Sequence, residues 1–157
     1  FELGAGMKRV RIVFPWSCGS RIRRMTLADG AALVPAAKTR KMLIFGDSIT
    51  HGYDAQRPSM RYAARLAESL GAEEVNKAIG GERFFPQLAE QKEPFTPDYI
   101  TVAYGTNDWN GIDEATFQEN CQAFYTALSK NSPPHRMLYK SDNPHPAFHK
   151  SIKNGIF

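Results

Sequence analysis

The chain's 157 residues, 42% of them apolar, suffice for one domain with a sizeable core, and no apolar run approaches the ~20 residues needed to cross a bilayer. Its net charge of +4 is unevenly spread: residues 1–41 carry nine Lys/Arg against two Asp/Glu, residues 42–131 seven against thirteen, and residues 132–157 four against one. A domain that grips polyanions carries positive charge on its body, so an acidic body between basic ends argues against a nucleic-acid partner.

In chain order, residues 7–14 alternate basic and apolar side chains and are predicted to form a half-exposed strand that Pro15 ends. Residues 21–27 predict a weaker strand, stopped by Ala28-Asp29-Gly30. Together they predict a β-hairpin over 1–37, the remnant of an N-terminal β-domain with its linker, whose basic side chains form a solvated face. The main domain is expected over 38–157. Its first strand is the buried apolar run Met42-Leu43-Ile44-Phe45, which Gly46 breaks before Asp47 and Ser48. A helix is predicted over 59–70, with Ser59 as cap, Tyr62, Leu66 and Leu70 on one face, and Gly71 as stop. A short strand is predicted over 74–77, a turn at Gly80-Gly81 and a helix over 84–91. Residues 98–104 predict the second strong strand, ending at Gly105-Thr106-Asn107-Asp108. Asp113 is expected to cap a helix to about residue 129, with Phe117, Cys121, Phe124, Tyr125 and Leu128 as its apolar stripe. Beyond Asn131 the composition turns proline-rich, and only residues 136–140 predict a strand. Strands alternating with helices imply parallel βαβ units, hence an α/β fold.

Three sequence-distant segments therefore end at one sheet edge, each with a glycine and a polar side chain, which is where open α/β sheets bind ligands. Ser48 can serve as a nucleophile, although a serine after a strand also serves as a simple turn former. Asn107 can donate its side-chain amide to an oxyanion or merely bond its own backbone. Gly81 offers a backbone N–H or a left-handed turn without catalytic role. The Gly-x-Ser-x-Gly elbow is absent, because position 50 is Thr.

Gly46-Asp47-Ser48, Asn76-Lys77-Ala78-Ile79-Gly80-Gly81 and Gly105-Thr106-Asn107-Asp108 resemble, in order, the first three sequence blocks of the SGNH (GDSL) hydrolases. The resemblance covers about residues 41–130. It implies a three-layer αβα, flavodoxin-like parallel sheet and a serine ester hydrolase that needs no metal or organic cofactor. Ser48 would be the nucleophile, and its own N–H, the Gly81 N–H and the Asn107 amide would form the oxyanion hole; Gly80 is the alternative glycine. The lead-in resembles a subgroup with a small β-domain before the hydrolase domain. Asp142-Asn143-Pro144-His145 fits the letters of the family's last block, making His145 the base and Asp142 its orienting carboxylate. The stretch before it has room for only one helix and one short strand, where the family places more. Either the fold is abbreviated, or the chain is truncated and its tail after about residue 131 is foreign to the family. His51, His135 and His149 are alternative bases, each more simply read as a loop or tail histidine. The substrate implied is a small-molecule acyl or acetyl ester, conceivably on a carbohydrate. An inactive relative that binds a ligand is the competing reading; a nucleotide-binding module is disfavoured by the absence of phosphate-loop sequences. Cys18 and Cys121 match no metal spacing and read as free thiols. They point to a reducing, cytoplasmic setting, while the opening Phe1 leaves room for an upstream signal.

Overall fold

The computed structural model describes residues 4–109, 111–131 and, as backbone, 136–139. Strand β1, Arg40–Gly46, is central, and its residues from Met42 onward are buried on both faces. It pairs in parallel with β2, Ala72–Asn76, on one side and with β3, Tyr99–Ala103, on the other. Strand β4, Arg136–Tyr139, pairs in parallel with β3, giving the order β2-β1-β3-β4. A central parallel strand needs apolar side chains on both faces, which explains why β1 reads as a continuous apolar run rather than an alternating one.

The alternation within β1 divides the core into two layers. Leu43 and Phe45 point to one face, where they meet α3, Pro86–Ala89, and α4, Glu114–Asn131. All five residues of the expected α4 stripe are buried there. Asp113 caps α4 as expected, its two carboxylate oxygens accepting from the Thr116 amide at 3.0 Å and the Thr116 hydroxyl at 2.7 Å. Met42 and Ile44 point to the opposite face, against α2, Tyr62–Ser69. The result is the three-layer αβα arrangement.

Several local expectations are corrected. The helix expected from Ser59 is split into a 3-10 turn, Pro58–Met60, followed by α2, so Ser59 caps nothing. Within α2 the fully buried residues are Ala63, Ala64 and Ala67, while Tyr62, Leu66 and Leu70 are half-buried. Small side chains let the helix lie close to the sheet, and the larger ones cover the margin. The helix expected over 84–91 is shortened to α3, because Phe85 still has an extended backbone and Pro86 starts the turn. The hairpin expected over 7–14 and 21–27 is not formed: residues 4–38 contain neither strand nor helix. Val10, Ile12, Phe14, Ile22, Met25 and Leu27 are all exposed. Alternation supplies one apolar face, yet two strands alone have nothing to cover it. The segment touches the main body through Arg11 and Lys38, both paired with Glu68, at 3.1 and 2.6 Å, and through Trp16. Cys18 and Cys121 are both free thiols, as expected.

Candidate active site

With strand order β2-β1-β3-β4, the chain runs from β1 outward to β2 and then crosses back to β3. The crevice between β1 and β3 is thus the topological switch point, where open α/β sheets bind ligands beyond their carboxyl ends. Gly46 pairs with Ala103, so the loops that carry Ser48 and Asn107 leave neighbouring strand ends.

The first loop is set by Gly46 and Asp47. A Cβ on Gly46 would overlap the Thr50 hydroxyl and stand 2.8 Å from the Ala103 carbonyl oxygen, so no other residue fits. Asp47, 1% exposed, accepts from the Ile49 amide at 3.0 Å and caps a single helical turn, α1, Ser48–His51. Ser48 opens that turn and is half-buried. Inside the turn, the Thr50 hydroxyl lies 2.6 Å from the Tyr62 hydroxyl.

The second loop follows β2 and keeps company with β1 beyond the strand itself. The Lys77 amide donates to the Ile44 carbonyl at 2.8 Å and the Ile79 amide to that of Gly46 at 3.2 Å. Asn76 ties this loop to α1, its amide donating to the Thr50 carbonyl at 3.0 Å and its oxygen accepting from the Ala78 amide at 2.9 Å. The Glu82 amide donates to the Ile79 carbonyl across Gly80 and Gly81, and Gly81 has φ +81°, the left-handed value that a glycine adopts without penalty. A Cβ on Gly80 would be 3.9 Å from Ser48 Cβ, so this turn lies beside the serine.

The third loop, after β3, is fastened to the second. The Asn107 amide donates to the Glu82 carbonyl at 2.8 Å, Arg83 Nε to the Asn107 carbonyl at 3.1 Å, and the Phe84 amide to Asp108 Oδ1 at 3.4 Å. Asp108 is 2% exposed, and its Oδ2, like Glu82 Oε2, is buried without a hydrogen-bond partner among the described residues. Burial pushes the Asp108 carboxyl above the usual range, against the Phe84 amide and the Arg83 guanidinium; burial also raises Glu82. The Tyr104 hydroxyl ionises far less readily than usual, through burial and then the nearby Glu82 charge. Burial, with the Asp108 charge beside it, pushes the Cys121 thiol up to about 12.

The hydroxyl of Ser48, the Gly80-Gly81 turn and the Asn107 loop therefore gather at one sheet edge. Glu82, Arg83 and Asp108, which fasten two of these loops, carried no sequence signal as partners: they lie in turns with no periodicity. Asp142, His145, His135 and His149 fall outside the described residues. His51 is described; it ends α1, and its ring packs edge-on against Trp16 with centroids 5.6 Å apart. No group of three or more His, Cys, Asp or Glu able to hold a metal occurs among the described residues.

The sequence pattern of the GDSL-like lipase/acylhydrolase family matches residues 44–153. The chain belongs to this family. The match takes in all three loops of this GDSL-like chain and runs on through Asp142 and His145. Among curated proteins, none matches the sequence. Solved structures of similar fold include a family 2 carbohydrate esterase from Clostridium thermocellum in complex with cellohexaose. It is 18% identical, with a TM-score of 0.63 over 80% of this chain and 51% of that one. A second is a family 2 carbohydrate esterase with a carbohydrate-binding domain from Corynascus thermopiles (Myceliophthora fergusii), 21% identical, TM-score 0.60, over 79% and 54%. A third is a salicylyl-acyltransferase from a tetracycline biosynthetic pathway, 22% identical, TM-score 0.65, over 82% and 41%. The GDSL-like chain thus spans about half the length of these structures. No helix among its described residues is long and apolar enough to cross a membrane.

Proposed function

We propose that the chain is a serine ester hydrolase acting on acyl or acetyl esters of small molecules, acylated carbohydrates among them. The observation that carries this reading is the placement of the Gly80-Gly81 turn beside Ser48, with Asn107 fastened to the residue that follows the turn. In the proposed reaction Ser48 Oγ attacks the ester carbonyl, and His145, oriented by Asp142, takes its proton. The carbonyl oxygen becomes an oxyanion held by the N–H groups of Ser48 and Gly81 and by the Asn107 amide. An asparagine amide has two N–H donors. With one engaged by the Glu82 carbonyl, the other is left for the oxyanion. The alcohol leaves with the proton from His145, and water then clears the acyl-enzyme by the same steps. Support for Asp142 and His145 is their fit to the family's last block and the family match that runs through them. The carbohydrate component of the proposal draws on the carbohydrate esterases of similar fold.

The test is hydrolysis of p-nitrophenyl acetate by the purified chain beside Ser48→Ala and Asn107→Ala. Ser48→Ala is expected to fall to the buffer rate, and Asn107→Ala to lose about 10²–10³ in kcat, the usual cost of one oxyanion donor. Equal rates in the wild type and Ser48→Ala would overturn the reading and leave a ligand-binding member of the family.

A further inference from the structure

We propose that Arg83 is a positioning residue that aims the Asn107 amide at the oxyanion; the inference rests on the hydrolase reading above. Three consecutive residues, 82 to 84, hold two consecutive residues, 107 and 108, by three hydrogen bonds of alternating kind. Asn107 is gripped at both ends. Its side-chain amide is anchored on the Glu82 carbonyl, and its backbone carbonyl accepts from Arg83 Nε. The amide's remaining N–H points along a direction set by both anchors, and only the first belongs to the amide itself. Without Arg83, the Asn107 carbonyl loses the side-chain bond that fixes its orientation, while the Phe84–Asp108 bond and the turn bond from the Trp109 amide to the Gly105 carbonyl still hold the rest of the loop.

Gly111 supplies an independent observation. A Cβ there would collide with the Arg83 guanidinium and stand 2.7 Å from the Asn107 carbonyl oxygen. Gly111 therefore keeps open the slot in which Arg83 reaches Asn107. Arg83 is exposed and opens no core contact when removed. The planar, fixed fork of arginine suits a single aimed bond from Nε, which a lysine ammonium on a flexible stem does not reproduce.

The experiment compares Arg83→Ala, Arg83→Lys, Gly111→Ala and the Arg83→Ala/Gly111→Ala double variant in ester hydrolysis and by NMR of the Asn107 side-chain amide. A small misplacement at a reacting centre can cost up to about 10²-fold. Arg83→Ala is expected to lower kcat about tenfold or more, with KM within about twofold and the thermal midpoint within about 2 °C. Gly111→Ala should reproduce that loss, Arg83→Lys should not restore activity, and the double variant should be no worse than the poorer single one, because both act through one contact. The Asn107 amide resonances should shift in each variant. Unchanged kcat, or losses that multiply in the double variant, would overturn the proposal. If the wild type hydrolyses no ester, the functional reading fails by itself, and the Asn107 resonances decide the positioning role: a shift supports it, and unchanged resonances overturn it.

Discussion

At the scale of single residues, Gly46 couples the strand to the turn that carries Ser48. The space a side chain would need is already taken by the Thr50 hydroxyl and the Ala103 carbonyl. Thr50 is fully buried and its hydroxyl is tied to Tyr62, so it cannot swing aside without losing that bond. Gly46→Ala is therefore expected to destabilise the protein by about 1–3 kcal/mol, the usual cost of overpacking a well-filled site. Urea denaturation measures it; a midpoint equal to that of the wild type would show that the turn shifts freely. The glycine could be read from sequence as a strand breaker. Its contacts could not, because they come from residue 50 and from residue 103 on another strand.

At the scale of elements, α4 shows how much a periodic pattern can foretell. Its stripe of five apolar residues was expected to be buried, and each one is. Phe124 is the hub: its ring lies 5.4 Å from Phe45, 5.6 Å from Phe84 and 5.5 Å from Tyr104, all edge-on. Such edge-to-face pairs contribute beyond the area they bury. Phe124→Ala is expected to cost about 3–5 kcal/mol, read from the change in denaturation midpoint at unchanged slope. A cost under about 1 kcal/mol would mean that the surrounding rings collapse into the gap. By contrast, residues 7–14 and 21–27 have a strand-like pattern and form no strand. A helix closes its own hydrogen bonds, so a stripe suffices to foretell it. A strand needs a neighbour, and alternation does not say whether one is present. The first and third strands of the sheet were legible because both are buried over their central residues, β1 reading as an apolar run and β3 as a run of β-branched and aromatic residues.

At the scale of the molecule, buried carboxyls near the site set a pH dependence. Asp108 is raised by burial, so the folded state holds its proton to higher pH than the unfolded chain, whose aspartates titrate near 3.9. The folded state then binds more protons, and stability falls as pH rises from about 4 through the raised value, then levels off. Asp113 and Glu68 work in the opposite sense. Hydrogen bonds from Thr116 lower the first, and the Lys38 contact lowers the second, so their contributions are lost as pH falls through the acidic range. Asp108→Asn, which keeps an acceptor for the Phe84 amide, should flatten the decline above pH 4. Denaturation midpoints between pH 4 and 8 test this; identical slopes in the two proteins would rule out Asp108 as the source. The sheet edge that carries the candidate site was legible from three Gly-polar strand ends. The clasp between residues 82–84 and 107–108 was not, since hydrogen bonds between turns leave no period in a sequence.

The order β2-β1-β3-β4 also governs when the site can exist during folding. Ser48 and Asn107 become neighbours only after the chain has gone out to β2, returned past β1 and laid down β3, a long-range closure whose entropy must be met before its contacts reward it. Neither half of the chain can hold the geometry of the candidate site alone. Its appearance during refolding would mark the completion of the crossover, and a growing chain passes through most of its length with the serine turn formed, at most, as an unaccompanied local bend.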